Sequence, residues 1–256
     1  HGAGLPAVLG RADHRSPDGL LSMTLSLLHV HPVTGTSASL AATGSVAVGG
    51  YVNHCWRGLG ACATQGLTTN PWYPEGVRRA LEQGLSAQDA LNDVVAGDAG
   101  ASRRQCLVMD ADGRSALHTG IDNQPVVASA RCPGVAAAGN MLADAAVPEA
   151  MVTAFLAATC EDPDAVLKQG KAPSFRETHD VELLVALIEA LEAGLVAGGD
   201  HRGCRSVALR IESFTMAPID LRVDWVEAAP VTELRALAHR VASEDFQAFL
   251  RSLPHR

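Results

Sequence analysis

The hydrophobic pattern starts in earnest about two dozen residues into the chain. Met23 to His31 reads Met-Thr-Leu-Ser-Leu-Leu-His-Val-His, apolar on both alternating faces, as in a strand buried on two sides. Pro32-Val33-Thr34-Gly35 is a turn signal, and Ser37 to Thr43 reads as the returning strand. That pairing sets Thr24 opposite the neighbourhood of Gly44 and brings Thr43 and Ser45 beside its hydroxyl. Val46 to Val52 continues as strand or extended loop. Gly58 to Thr64 is a further strand, rich in small residues, and runs into the polar loop Gln65 to Pro71. A helix is predicted from about Pro74 to Gln83, and Ser86-Ala87-Gln88-Asp89 has the form of a capping box opening a second helix to about Ala96. Arg103 to Met109 and Arg114 to Thr119 flank the hairpin turn Asp110-Ala111-Asp112-Gly113.

Two short strands follow near Gln124 to Ala128 and Gly134 to Ala138, with a break at Gly139 to Leu142. Pro148 opens a helix to about Thr159. Asp162 to Phe175 reads as an irregular loop. Leu184, Leu187, Ile188, Leu191 and Leu195 fall at helical spacing within a helix over Val181 to Leu195, stopped by Gly198-Gly199. Val207 to Ile211 and Leu221 to Val226 are strands. Pro230 opens one terminal amphipathic helix running through Leu234, Leu237, Val241 and Phe249. Strands in antiparallel runs with helices grouped between them make an α+β fold rather than a parallel α/β one.

Length and composition narrow the picture. The 256 residues are 47% hydrophobic, enough for a substantial core, but only 4% aromatic, so Ala, Val and Leu must fill it. A net charge of −8 argues against a nucleic-acid partner, and no stretch approaches the ~20 apolar residues of a membrane span. Cys55, Cys62, Cys106, Cys132, Cys160 and Cys204 form no C-x-x-C pair and read as small buried thiols of a reducing, cytoplasmic compartment. Residues 1–22 lack a signal-peptide pattern and read as a leader: a tag, an over-extended gene start or a propeptide. The remainder, 23–256, is expected to be one domain.

Met23 before the small Thr24 suggests a trimmed methionine and Thr24 as the working N-terminus. A terminal threonine carries its own base, since its α-amine, with an ordinary pKa near ~8, can take the proton from its hydroxyl. The bland alternative is an ordinary strand-edge threonine. For Thr43 and Ser45 the alternatives are supporting hydroxyls or hairpin-edge residues. Asn70 and Asn140, beside Pro71 and Gly139, read first as turn residues tolerant of left-handed backbone; either amide is also a candidate to orient substrate. His29-x-His31 is a possible metal pair on one strand face, but no further ligands stand at matching spacing, and two structural strand histidines is the preferred reading. His118, ending a strand, is a candidate substrate contact or a structural residue. Gly198 to Gly203 lacks the lysine ending of a phosphate-binding loop and reads as a helix stop with Asp200 and Arg202 paired across it.

A set of ordered motifs carries a resemblance. Ala63-Thr64-Gln65 with Thr69-Asn70-Pro71, Arg104-Gln105, His118-Thr119-Gly120, Gly139 to Ala143, and Ala197 to Asp200 with Arg202-Gly203 resemble the signatures of a bacterial family catalogued as domain of unknown function 1028. Thr43-Gly44-Ser45 with Val48-Gly49-Gly50 is similar to one branch of it. The resemblance spans about Met23 to Val226 and implies a four-layer αββα sandwich of the N-terminal-nucleophile hydrolase type. Members typically begin Met-Thr-x-Ser, which matches Met23 to Ser26. Many carry a basic residue where this chain has Gly44 and an Arg-Asp pair where it has Val30-His31, so a lysine-assisted mechanism is not expected here. The implied activity is hydrolysis of a small amide or N-acyl compound without a cofactor or metal. Thr24 is the nucleophile, with Thr43, Ser45, Gln65 and Asn140 in the catalytic set. Backbone N–H groups near Thr64 to Gly66 hold the oxyanion. Thr64, Asn70, His118, Asp200 and Arg202 are candidates for substrate binding. A homodimer or higher homo-oligomer is expected, and a non-catalytic scaffold on the same fold is the alternative.

Overall fold

The computed structural model describes residues 24–123, 126–199 and 203–254. The expected leader, Met23, Asp200 and Arg202 lie outside the described residues. The fold is mixed α+β, built on two antiparallel sheets and seven helices among the described residues.

The first sheet contains β1 (Thr24–Val30), β2 (Ser37–Thr43), β7 (Val127–Cys132), β8 (Val135–Asn140), β9 (Ser206–Glu212) and β10 (Ile219–Val223), in the order β10-β9-β2-β1-β8-β7. The second contains β3 (Asn53–Trp56), β4 (Gly60–Gly66), β5 (Arg104–Asp110) and β6 (Ser115–Thr119), in that order. β1 lies between β2 and β8 and is buried along its whole length. Its two-sided apolar pattern has a simple cause. Leu25 and Leu27 join a core beneath the helices, while Leu28 and Val30 join the core between the sheets. The intersheet core is filled largely by alanine: Ala41, Ala61, Ala63, Ala136, Ala138 and Ala208. Small side chains let the two backbone layers approach closely, which is how a chain this poor in aromatics closes its core.

Helices α3 (Val147–Thr159), α5 (His179–Val196) and α6 (Pro230–Val241) pack on the outer face of the first sheet. Helices α1 (Tyr73–Glu82) and α2 (Ala87–Ala96) pack on the outer face of the second. α2 begins where the capping residues predict, with Ser86 Oγ accepting from the Asp89 N–H at 3.2 Å. α3 and α5 approach at Gly194, where an added Cβ would stand 2.6 Å from Met151 Cγ.

Thr24 pairs with Thr43, in the neighbourhood of Gly44 as expected. Several other elements differ from the sequence reading. Val46 to Val52 is not strand: Val48–Gly50 form a 3-10 turn, and the strand of that region is β3. The Asp162 to Phe175 segment is not wholly irregular. Pro163–Gln169 form helix α4, with Asp162 Oδ1 accepting from the Ala165 N–H at 3.0 Å and Gly170 closing it in left-handed conformation. Gly139 and Asn140 lie inside β8; the break comes at Met141. The terminal helix is two, α6 and α7 (Glu244–Ser252), because the α6 periodicity ends at Val241 and Ser243 adopts extended backbone.

Leu27 has no exposed surface and sits in the core shared by β1, α3 and α5. Leu27→Ala is expected to lower the unfolding free energy by ~2–5 kcal/mol, read from urea denaturation midpoints at unchanged slope.

Candidate active site

Strand alternation sorts the polar residues at one end of the fold. Even-numbered residues of β1 face the other sheet, so Thr24 points into the intersheet layer with Leu28 and Val30. Thr43 shares that face through its pairing with Thr24, and Asn140 through its pairing on the other side. From the second sheet, Gln65 and Gln105 occupy the parity of Ala61, Ala63, Leu107 and Met109, and face back across the gap. The alanine-lined layer therefore ends in a group of hydroxyls and carboxamides.

A cavity of about 360 Å³ opens there, lined among others by Thr24, Thr43, Ser45, Gln65, Gly66 and Met141, with Thr68 and Thr69 from the following loop. Thr24 is only 8% exposed, but its Oγ1 lies 3.2 Å from Thr43 Oγ1 and borders this space. Among the described residues the lining contains no carboxylate, imidazole, thiol or basic side chain, and its only titratable group is the Tyr51 phenol. The described lining thus offers the Thr24 hydroxyl no side-chain base.

One carbonyl-facing amide fixes two others. Gln105 Nε2 donates to Gly139 O at 3.1 Å and to Thr119 Oγ1 at 3.1 Å. A carbonyl only accepts, so Gln105 must turn its Oε1 the other way. That oxygen accepts from Gln65 Nε2 at 2.7 Å and from Asn140 Nδ2 at 3.2 Å. Gln65 Nε2 also reaches Ala138 O at 3.3 Å and Thr24 O at 3.5 Å. The orientation of all three amides follows from one backbone oxygen.

Backbone direction supplies a donor. The Thr64 N–H donates to Val52 O at 3.1 Å, so alternation along β4 turns the Gly66 N–H to the same side, beyond the start of β3. Gly66 has φ +127°, and a Cβ there would stand 2.4 Å from Arg103 O, so the position is confined to glycine. Two of the three non-glycine residues with left-handed backbone among the described residues border the cavity: Met141 (φ 51°) lines it, and Ala47 (φ 56°) lies between the lining residues Val46 and Val48. The segment around Ala47 is held by Ser206, whose Oγ donates to Ser45 O at 2.8 Å and accepts from the Val48 N–H at 3.2 Å.

The expected site residues divide into two groups. Thr24, Thr43, Ser45, Gln65 and Asn140 come together. Thr64 is fully buried, donating to Asn70 O at 3.2 Å with Thr69 Oγ1 also at 3.2 Å, and does not line the cavity. Asn70 is neither left-handed nor in the cavity: its Nδ2 donates to Asp98 Oδ2 at 3.0 Å. Tyr73 and Arg104 converge on the same carboxylate, and these bonds, Arg104 foremost, hold Asp98 well below the usual carboxylate range. Arg104 also binds Thr68 through O and Oγ1, so Asn70, Asp98 and Arg104 anchor the loop that walls the cavity. His118 lies elsewhere, its Nε2 2.9 Å from Ala101 O. Gln105 was legible only as part of a motif. A carboxamide at the core-facing parity of a strand otherwise carrying Leu107 and Met109 was the available signal.

His29 lies in β1 and His31 just beyond its end, and each ring packs against that of His179. His29 Nδ1 donates to Gly134 O at 2.7 Å, and its Nε2 lies 2.9 Å from His179 Nε2, so both nitrogens are engaged. His179 Nδ1 in turn lies 2.9 Å from Asp180 Oδ1. Phe155 and Phe175 pack on the His29 ring at centroid distances of 4.9 and 5.1 Å. Among the described residues no group of three or more His, Cys, Asp or Glu is placed to hold a metal. Cys62 and Cys106 are buried free thiols with Sγ atoms 3.8 Å apart, and Cys106 contact together with burial pushes the Cys62 thiol well up.

A family model described as "Family of unknown function (DUF1028)" matches residues 24–234. The crystal structure of a DUF1028-model protein from Silicibacter pomeroyi superposes with a TM-score of 0.77 at 31% identity, covering 91% of this chain and 92% of that one. Anbu (ancestral beta-subunit) from Yersinia bercovieri gives a TM-score of 0.32 at 10% identity, covering 91% and 99%. No curated protein matches.

Burial, then the neighbouring His179, lowers the His29 pKa well below its ordinary 6.5. The unfolded chain protonates this imidazole near that ordinary value while the folded chain resists. Stability is therefore full above about pH 6.5 and falls as pH drops toward the depressed value, by up to about 1.4 kcal/mol per pH unit. Melting temperature is expected to fall between pH 7 and 5, and His29→Leu to flatten that slope.

Proposed function

The chain belongs to the family of unknown function DUF1028, and from that premise we propose that it is an amidohydrolase of the N-terminal-nucleophile type, cleaving a small amide or N-acyl compound with Thr24. The finer architecture belongs to the same reading: two face-to-face sheets with helices on both outer faces correspond to a four-layer αββα sandwich. One observation carries the proposal. The Thr24 hydroxyl borders a cavity whose lining, among the described residues, offers no side-chain base, and an α-amine on Thr24 itself would supply one.

The steps follow from the placement. The α-amine takes the Thr24 Oγ1 proton as Oγ1 attacks the carbonyl carbon. The Thr43 hydroxyl, 3.2 Å away, donates to the developing alkoxide. The Gly66 N–H faces the resulting oxyanion, a contribution of ~3 kcal/mol for one such donor. The ammonium returns its proton to the leaving nitrogen, and the amide C–N bond breaks, leaving an ester on Thr24. Water, deprotonated by the same amine, adds to that ester and releases a carboxylic acid. Asp200 and Arg202 are kept as candidate substrate contacts, and Ser45 as a hydroxyl at the mouth of the cavity. A cytoplasmic homo-oligomer acting on small molecules, with no nucleic-acid or membrane partner, fits this reading.

The test is turnover of a panel of N-acyl amino acids and small amides by protein whose first residue, checked by mass spectrometry, is Thr24. Thr24→Ala is expected to abolish turnover, and Thr24→Ser to retain part of it. One extra residue before Thr24 is expected to abolish it as well; undiminished activity in that extended form would rule the mechanism out. Thr43→Val is expected to lower kcat by about 10- to 100-fold, the loss of one hydrogen bond to a developing charge.

A further inference from the structure

Gln65 Oε1 and Asn140 Oδ1 are buried acceptors with no hydrogen-bond partner among the described residues. Gln65 is 2% exposed and Asn140 is fully buried, so water does not readily serve them from outside. An unmet buried acceptor costs ~1–3 kcal/mol, and here two stand on residues that adjoin one strand end. Their orientation is not adjustable. Gly139 O fixes Gln105, and Gln105 Oε1 then draws both NH₂ groups to itself, so the two carbonyl oxygens are forced to the opposite sides of their amides. Reversing either amide would set oxygen against oxygen.

Asn140 is the direct register partner of Thr24, and Gln65 Nε2 lies 3.5 Å from Thr24 O. Val30 N–H donates to Gly134 O, which fixes the parity of this ladder: even-numbered residues of β1 exchange their backbone bonds with β8. The Thr24 nitrogen thus turns toward the Asn140 backbone. A peptide nitrogen brings one hydrogen, and the ladder uses it. An α-ammonium brings three, and two remain.

We infer that Gln65 and Asn140 are positioning residues whose side-chain carbonyls receive the two remaining hydrogens of the Thr24 α-ammonium, with Gln105 as the part that orients them. This rests on the reading of Thr24 as a free N-terminus and adds what holds its amine in place. A neutral amine keeps two hydrogens, so one of the three acceptors is given up as the lone pair turns to Oγ1, and the other two hold the nitrogen in place. Neutral carbonyls suit the task, because a carboxylate in this position would hold the amine protonated and spoil it as a base. Among the described residues the groups facing the amine are uncharged: Thr43 of β2, Gln65 of β4, Gln105 of β5 and Asn140 of β8 are neutral, and Tyr51 is the sole titratable side chain of the described cavity wall.

The test is a titration of the Thr24 α-amine in protein beginning at Thr24, followed by NMR of ¹⁵N-threonine-labelled chain. Acceptors favour the ammonium, so Gln65→Met and Asn140→Leu are each expected to lower the amine pKa by about one pH unit. The isosteric Gln65→Glu and Asn140→Asp are expected to raise it, and they keep the shape of the site should the apolar variants fail to fold. An amine pKa unmoved by all folded variants overturns the clamp. The measurement needs no substrate. Inactivity of the parent on amides with the expected titration shifts would sink the proposed function and leave the clamp standing, while an active parent with unmoved titration does the reverse.

Discussion

One backbone carbonyl, Gly139 O, disciplines the functional end of this fold. It accepts from Gln105, and that bond propagates through a shared oxygen to Gln65 and Asn140. Buried carboxamides are costly when mismatched and highly specific when matched. Here they sit where the alanine layer between the sheets gives out, so the transition from packing to chemistry occurs within one or two residues on four different strands. Thr24 on β1 takes its place in that same row.

The two ends of β1 show how much one strand is asked to do. At one end a hydroxyl faces a cavity between the sheets. At the other, His29 turns to the opposite face and is locked among Phe155, Phe175, His179 and the Gly134 carbonyl. Period-two alternation separates the two tasks: even positions look toward the second sheet, odd positions toward the helices. The loop wall depends on a second, charged device. Asp98 gathers Arg104, Asn70 and Tyr73, outside the cavity lining, and Arg104 fastens Thr68. Charge thus shapes the wall without lining it.

The elements with strong local signals were legible in the sequence. The Ser86 cap, the hairpin at Asp110, the leucine spacing of α5 and the first strand pair all follow from rules that act within a few residues. What was not legible depends on partners far along the chain. β3 has four residues and weak alternation, and becomes a strand because β4 offers it an edge. Asn140 reads as a turn residue beside glycine, yet the turn falls on Met141, because pairing with β1 carries β8 through Asn140. At the site, Thr43 and Ser45 were placed by hairpin geometry alone. Gln105 stood out only within a motif, and Asp98 not at all, because their importance lies in which atoms they orient.

The uncharged cavity wall has a consequence for how molecules arrive. The chain carries a net charge of −8, but no described residue lining the space before Thr24 has a charged side chain. A lining without charged side chains leaves the proposed Thr24 α-ammonium as the charge an approaching molecule meets there, so encounter is governed by that single charge, diffusion and fit. Capture of a neutral guest should be nearly indifferent to ionic strength, whereas capture of an anionic one should weaken as salt screens the ammonium. Discrimination among neutral guests is then left to hydrogen-bonding pattern and volume.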